Sequence, residues 1–184
     1  MTRDEAIKLI KEKLNNENLV KHSIAVGAIM RGLAKYFGED EERWELCGLL
    51  HDIDYGETID DPDKHSLIGG KMLREMGFDE EFVNAVEAHN ERHGIPRNSL
   101  MAKALFAADP ISGLITATAL VMPEKKMESV KVKSVKKKFK AKEFAKGANR
   151  EQIKTCETEL GIPLSEFIEI ALNSMKEVSD ELGL

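Results

Sequence analysis

Along almost the whole chain, apolar residues recur every three or four positions rather than every second one, which is the period of an amphipathic helix and not of a half-buried strand. The pattern predicts an all-α fold. Thr2 with Glu5 forms a capping-box signature, so a first helix is expected to about Leu14, broken by Asn15-Asn16. A second spans about 18–37 and stops at Gly38. Asp40 caps a third, in which Trp44, Leu46, Cys47, Leu49 and Leu50 build an increasingly apolar run up to Ile53. Tyr55 to Asp61 reads as a loop, and Asp61-Pro62 starts a fourth helix carrying His65, Ile68, Met72 and Met76 until Gly77. Asp79 opens a fifth, expected to about Arg92. Gly94-Ile95-Pro96 breaks the chain, after which Asn98 or Ser99 caps a long apolar helix with Leu100, Ala104, Leu105, Ala108 and Leu114, where Pro110 predicts a kink. Beyond a lysine-rich stretch, Asn149 caps another helix, Gly161-Ile162-Pro163 ends it, and a last amphipathic helix runs to about Leu182. There is no internal repeat.

Length and composition narrow this to one ordinary domain, since 184 residues with 42% hydrophobic and 33% charged side chains suffice to bury a polar site in a core. A single domain over 1–184 is expected. Cys47 and Cys156 lie far apart in unrelated contexts, as core thiols of a reducing compartment do. The N-terminus, Met1-Thr2-Arg3-Asp4-Glu5, lacks the apolar core of a signal peptide, and no apolar run approaches the roughly 18 residues of a bilayer span. A cytoplasmic protein with no membrane partner is the expectation.

Charge adds one local feature. The net charge of -6 hides a basic stretch over 124–146, which holds ten lysines against three glutamates and leaves the remainder near -13. Such a stretch is either a solvated helical face or an attraction for a phosphorylated substrate or nucleic acid. Its only aromatics, Phe139 and Phe144, are too sparse for a base-stacking platform, so nucleic acid is not expected as a partner.

The candidate chemistry lies where histidines and aspartates meet apolar stripes. His22 shares a helical face with Val26, Ile29 and Leu33, at offsets of four, seven and eleven, and is expected to point inward. His51-Asp52 follows the apolar run Leu46 to Leu50, which carries an imidazole and a carboxylate to the core together. Asp109 stands one turn after Leu105 and Phe106 and just before Ile111. A carboxylate taken out of water needs a positive partner. These segments contain no arginine and only Lys103 nearby, so a metal shared with histidines is the simplest counter-ion, with a buried salt bridge as the alternative.

A histidine on an early helix, a His-Asp dyad ending a later one and an aspartate far downstream resemble the HD-domain metal-dependent phosphohydrolases, over about His22 to Asp109. The resemblance implies an α-helical bundle with a metal-site core over about 18–120 and a basic, C-terminal helical segment over about 121–184. It implies metal ligands at His22, His51, Asp52 and Asp109. In family members with two metals, further histidines contribute; here His65 in His65-Ser66-Leu67-Ile68-Gly69 and His89 ending Val86-Glu87-Ala88-His89 correspond to them. Two divalent transition-metal ions are therefore expected, iron or manganese being favoured and nickel, cobalt, zinc or magnesium compatible with the same donors. Asp54-Tyr55 stands where the cyclic dinucleotide phosphodiesterases carry a glycine and a lysine, which argues against a cyclic dinucleotide substrate. His93 reads as a solvent-exposed histidine at a helix end.

The implied activity is hydrolysis of a phosphoester or phosphoanhydride in a nucleotide or other small phosphorylated metabolite, with Asp52 bridging the metals and a metal-activated water attacking phosphorus. Asp54 is the candidate to orient that water or protonate the leaving group. Lys64, Lys71, Arg74 and Arg92, near the ligands in sequence, are candidates to bind substrate phosphate. Two other classes share the ligand pattern: a di-iron oxygenase of the same family, and a non-catalytic regulatory module that binds a nucleotide.

Overall fold

A computed structural model describes residues 1–184, all helix, turn and loop, with no strand. The helices are α1 (Arg3–Leu14), α2 (Glu17–Phe37), α3 (Glu41–Leu50), α4 (Tyr55–Thr58), α5 (Leu67–Glu75), α6 (Glu80–His89), α7 (Leu100–Leu120), α8 (Val132–Lys140), α9 (Arg150–Thr158), α10 (Leu164–Glu177) and α11 (Ser179–Leu182). Their starts follow from side chains that accept the free N–H groups of a first turn: Thr2 with Glu5 in a full capping box, Asn16, Asp40, Asp79, Ser99 and Asn149. Gly38 ends α2 in the left-handed region, φ 74°, where a side chain would be strained.

Helix α2 is the centre of the bundle. It packs on α3, α7 and α10, while α7 packs in turn on α6 and α9. Helices α2 and α3 approach closely, and a Cβ at Gly48 would lie 2.7 Å from the Gly27 backbone. Only glycine at this crossing lets the two axes come so near, and the crossing fixes the first histidine helix against the helix that delivers the dyad. One buried apolar cluster runs from Ala6 to Leu182 and includes Ile29, Leu50, Phe82, Leu105 and Phe167.

Several boundaries differ from the sequence reading. The stretch Tyr55–Thr58 is a short helix rather than loop, and α5 begins at Leu67, not at Pro62. The reason is Ser66, whose φ of 70° breaks any helix running through it, so Asp61–Ser66 forms turns that wrap His65 inward. Helix α6 stops at His89, since Asn90 takes an extended conformation and caps a one-turn 3-10 segment, Glu91–His93. The last helix is two, parted at Val178. Helix α7 continues through Pro110 to Leu120; the proline lacks the N–H that would bond to Phe106. Contrary to the sequence reading, α7 is long and apolar enough to cross a membrane, with a mean hydropathy of 1.3 in its most apolar 18-residue window, but 67% of that window is buried against the other helices. In the basic stretch, α8 turns Val135 and Phe139 into the core and leaves its lysines outside.

Candidate metal centre

Four helices and one turn bring six side chains together. His22 comes from α2, His51 and Asp52 from the end of α3, His65 from the turn before α5, His89 from the last residue of α6, and Asp109 from the middle of α7. Asp52 is the hub. Its Oδ2 lies 3.3 Å from His51 Nε2 and 3.7 Å from His22 Nε2. Its Oδ1 lies 3.3 Å from both His65 Nε2 and His89 Nε2. Asp109 Oδ1 closes the first half, 3.1 Å from His22 Nε2 and 3.9 Å from His51 Nε2. The imidazole centroids step around the carboxylate at 5.0–5.1 Å, from His22 to His51 to His89 to His65.

Each ring is held from behind by its other nitrogen. His51 Nδ1–H donates to the Gly48 carbonyl at 2.8 Å, and His89 Nδ1–H donates to the Val86 carbonyl at 2.5 Å. His65 Nδ1–H donates to Asp54 Oδ1 at 3.0 Å. The Ser112 hydroxyl donates to the Asp109 carbonyl at 2.7 Å, so its oxygen is left to accept from His22 Nδ1–H at 3.1 Å. With Nδ1 carrying the proton, each ring in its neutral form presents an Nε2 lone pair to the carboxylates of Asp52 and Asp109. Lone pairs facing carboxylate oxygens repel unless something positive sits between them. His51 Nε2 is fully buried and has no hydrogen-bond partner.

These donors fit a divalent cation. No lysine or arginine nitrogen lies within 4.0 Å of Asp52, Asp54 or Asp109, whose ion-pairing neighbours are all imidazoles. Ligand atoms about 2.1 Å from one ion are separated by roughly 3.0–3.4 Å for right-angled to tetrahedral geometry, close to the 3.1–3.3 Å of the shorter pairs here. The donor atoms of His22, His51 and Asp109 lie within 4.8 Å of one another, as do those of His51, Asp52 and His89.

The electrostatics carry the same message. Burial alone would raise Asp52, but the surrounding imidazoles when protonated, His51 first and then His65 and His89, hold it well below the usual carboxylate range. Burial likewise opposes, and His22 outweighs, in lowering Asp109. His65 lies between Asp52 and Asp54; burial disfavours its charge, yet the two carboxylates raise it to about 9. The cage attracts positive charge at both halves.

Residues suggested from sequence for other roles occupy other places. Asp54 does not face the open side of the cage. It is fully buried behind His65, with Oδ1 on the ring and Oδ2 accepting from the Gly69 N–H at 2.8 Å, so both oxygens are committed. Lys64 pairs with Asp61, Lys71 approaches Glu75, Arg74 bridges Glu80 and Glu87, and Arg92 pairs with Asp63. His93 is half-buried rather than solvent-exposed, its Nε2 donating to the His65 carbonyl at 2.7 Å beside Asn90, which donates to the same oxygen at 3.1 Å. Ser112, Asn90 and His93 were not read as part of the site. Ser112 has a periodic signal, one turn after Asp109 on α7, but its partner His22 is 90 residues away.

Comparison with known proteins gives the same frame. A family model described as HD domain matches residues 19–114, an interval that contains all six side chains of the cage. Ribonuclease Y of Oleidesulfovibrio alaskensis is 33% identical over 98 residues, covering 53% of this chain and 18% of that protein. Ribonuclease Y of Lawsonia intracellularis is 35% identical over 99 residues, with the same coverages. Ribonuclease Y of Lactobacillus helveticus is 37% identical over 97 residues, covering 52% of this chain and 17% of its own length. The chain thus matches less than a fifth of the length of these curated relatives. With the matched interval spanning more than half of its 184 residues, the chain belongs to the HD domain family, the metal-dependent phosphohydrolase superfamily.

Proposed function

We propose that the chain hydrolyses a phosphodiester bond in a nucleotide or short RNA, using divalent metal held by His22, His51, Asp52 and Asp109 in one half of the cage and by Asp52, His65 and His89 in the other. The observation that carries this is the division of labour at Asp52: Oδ2 faces His22 and His51, Oδ1 faces His65 and His89, and every ring is locked with Nε2 toward the carboxylate. A carboxylate used through both oxygens is suited to bridge two ions. The mixed nitrogen and oxygen donors favour iron or manganese.

The bound metal would supply a nucleophile at neutral pH, by lowering the pKa of a coordinated water, and would offset charge developing on the phosphoryl oxygens. The protein's own contribution is orientation. Ser112, Asp54 and the carbonyls of Gly48 and Val86 keep four rings in one tautomer and one direction, and Asp54 is a positioning residue for His65. Lys64 and Arg92 pair with carboxylates on the turn that delivers His65. Exposed pairs of this kind are screened by solvent and hold weakly, so an incoming phosphate would displace them at small cost. Lys71 and Arg74 are further candidates.

The earlier expectation that nucleic acid is not a partner finds no support among relatives named ribonuclease Y. The test is turnover of bis(p-nitrophenyl) phosphate and of a short oligoribonucleotide by protein stripped and reloaded with manganese, iron, nickel, cobalt, zinc or magnesium. The reading expects loss of turnover on stripping and recovery with at least one metal. Equal turnover before and after stripping, or none with any ion on either substrate, contradicts it.

A further inference from the structure

The cage has one open side. His51 and His89 are almost wholly covered, with side chains 0% and 4% exposed, whereas His22 and Asp109 keep 26% and 31%. Substrate reaches the reacting position past these two. Beside His22 lies a groove of about 430 Å³, the size of a small-ligand site. Its floor and walls come from three elements: Asn18 and Lys21 on the first turn and a half of α2, Thr116 and Leu120 two and three turns after Asp109 on α7, and Leu182 at the end of α11. His22 lines this groove and also belongs to the cage, so the groove adjoins the cage at His22.

The lining is chemically divided. Leu120, half exposed, and Leu182 offer an apolar surface on which a sugar or base can lie. Asn18 and Thr116 offer hydrogen-bonding groups, and Lys21 a positive charge. Lys21 is engaged only in an i,i+4 pair with Glu17, whose side chain is 81% exposed, and such a pair yields readily to a phosphate. One residue leaves the groove open: Gly113, one turn after Asp109, where an added Cβ would have no neighbour within 4 Å. In the interior of a helix glycine is unfavourable relative to alanine, and here the open space stands in front of it.

We propose that this groove is the nucleoside subsite, in which the nucleoside attached to the scissile phosphate lies between Thr116, Leu120 and Leu182 while Lys21 meets the next phosphate along the chain. This rests on the phosphodiesterase reading above. It assigns specificity to residues that hold no metal, and it explains how a cage able to hydrolyse any small diester would select nucleotides.

The test fills the groove without touching the cage. Gly113→Phe places a ring where nothing else lies, and Lys21→Ala removes the cation. Binding of adenosine 3′,5′-bisphosphate, which carries a phosphate on either side of the nucleoside, and of inorganic phosphate to manganese-loaded protein is measured by calorimetry, with metal content determined for each variant. The expected result is at least tenfold weaker binding of the nucleotide by Gly113→Phe and a smaller, salt-sensitive loss in Lys21→Ala, with metal content and inorganic phosphate binding as in the parent. Nucleotide binding that is unchanged in Gly113→Phe, or no tighter than inorganic phosphate in the parent, overturns the subsite. Turnover of bis(p-nitrophenyl) phosphate by the parent reports separately on the hydrolase reading. A failure there with the binding pattern intact removes the chemistry and leaves the subsite.

Discussion

Replacing Asp54 by asparagine changes almost no volume and tests whether His65 is a ligand held in place from behind. Two N–H donors converge on this carboxylate, His65 Nδ1–H at 3.0 Å and Gly69 N–H at 2.8 Å, and the side chain is fully buried. An amide has one oxygen for these two donors. If the oxygen stays on Gly69, the amide NH2 points at His65 Nδ1, and the ring is relieved only by moving its proton to Nε2, which removes the lone pair aimed at the second ion. If the amide turns over, the buried Gly69 N–H is left unpaired, at about 1–3 kcal/mol. Removing a partner that orients a metal-bound histidine typically lowers metal affinity or activity 10–100-fold, equivalent to about 1.4–2.7 kcal/mol. The Asp54→Asn protein is expected to hold the ion of the His22–Asp109 half and to lose the other to a chelator at tenfold lower concentration or less. Its turnover of bis(p-nitrophenyl) phosphate is expected to fall 10–100-fold. Nitrogen-15 shifts of His65 read the tautomer directly. Two ions retained as tightly as in the parent, with unchanged turnover, would refute the orienting role.

Three further outcomes follow from particular contacts. Ser112→Ala removes the oxygen that accepts from His22 Nδ1–H, so affinity for the ion of the first half is expected to drop about tenfold, measured by chelator competition; an unchanged constant would show that the hydroxyl does not orient His22. Asp79→Ala deletes an N-cap accepting from Glu81 and Phe82 and an exposed bidentate pair with Arg43, which is expected to lower stability by about 1 kcal/mol, mostly from the cap, and the melting temperature by about 2–4 °C. Arg43 first, then the Phe82 N–H, depress the Asp79 pKa; a depressed carboxylate contributes stability that is full above its unfolded pKa of about 3.9 and lost below it, so the difference between variant and parent is expected to shrink as pH falls from 5 to 3, and a difference that grows would contradict the assignment. Lys136→Ala, Lys137→Ala and Lys138→Ala together reduce the charge of a segment with ten lysines, which is expected to raise KM for an oligoribonucleotide at low salt but not at high salt; unchanged KM at low salt would leave α8 a solvated face.

Much of this architecture was legible in the sequence because it depends on local signals. Capping residues placed the starts of α1, α3, α6, α7 and α9, and the apolar stripe beside His22 placed that ring on an inward face. What escaped depends on contacts between distant residues or on backbone states with no residue signature. Asp61-Pro62 carries a strong helix-start signal, yet the helix waits for Leu67 because Ser66 takes a positive φ that its residue type does not announce. Its hydroxyl donates to the Glu87 carbonyl, 21 residues away, a bond that joins the His65 turn to α6. Asp54 looked like a free acid beside the dyad. Its burial behind His65 is set by Gly69, where a Cβ would come within 3.3 Å of the Asp54 carboxylate carbon. His93 sits before a glycine, as helix-end histidines do, and only the folded turn shows its ring meeting the His65 carbonyl.

The central claim is that Asp52 joins two metal-binding halves of one cage. Crystals of manganese-loaded protein, with anomalous scattering recorded above and below the manganese edge, test it most directly. The account predicts two anomalous peaks, one on each side of the Asp52 carboxylate, the first within bonding distance of His22, His51 and Asp109 and the second of His65 and His89. It also predicts that Asp52→Ala protein shows neither. A single peak at saturating metal that persists in Asp52→Ala would contradict it.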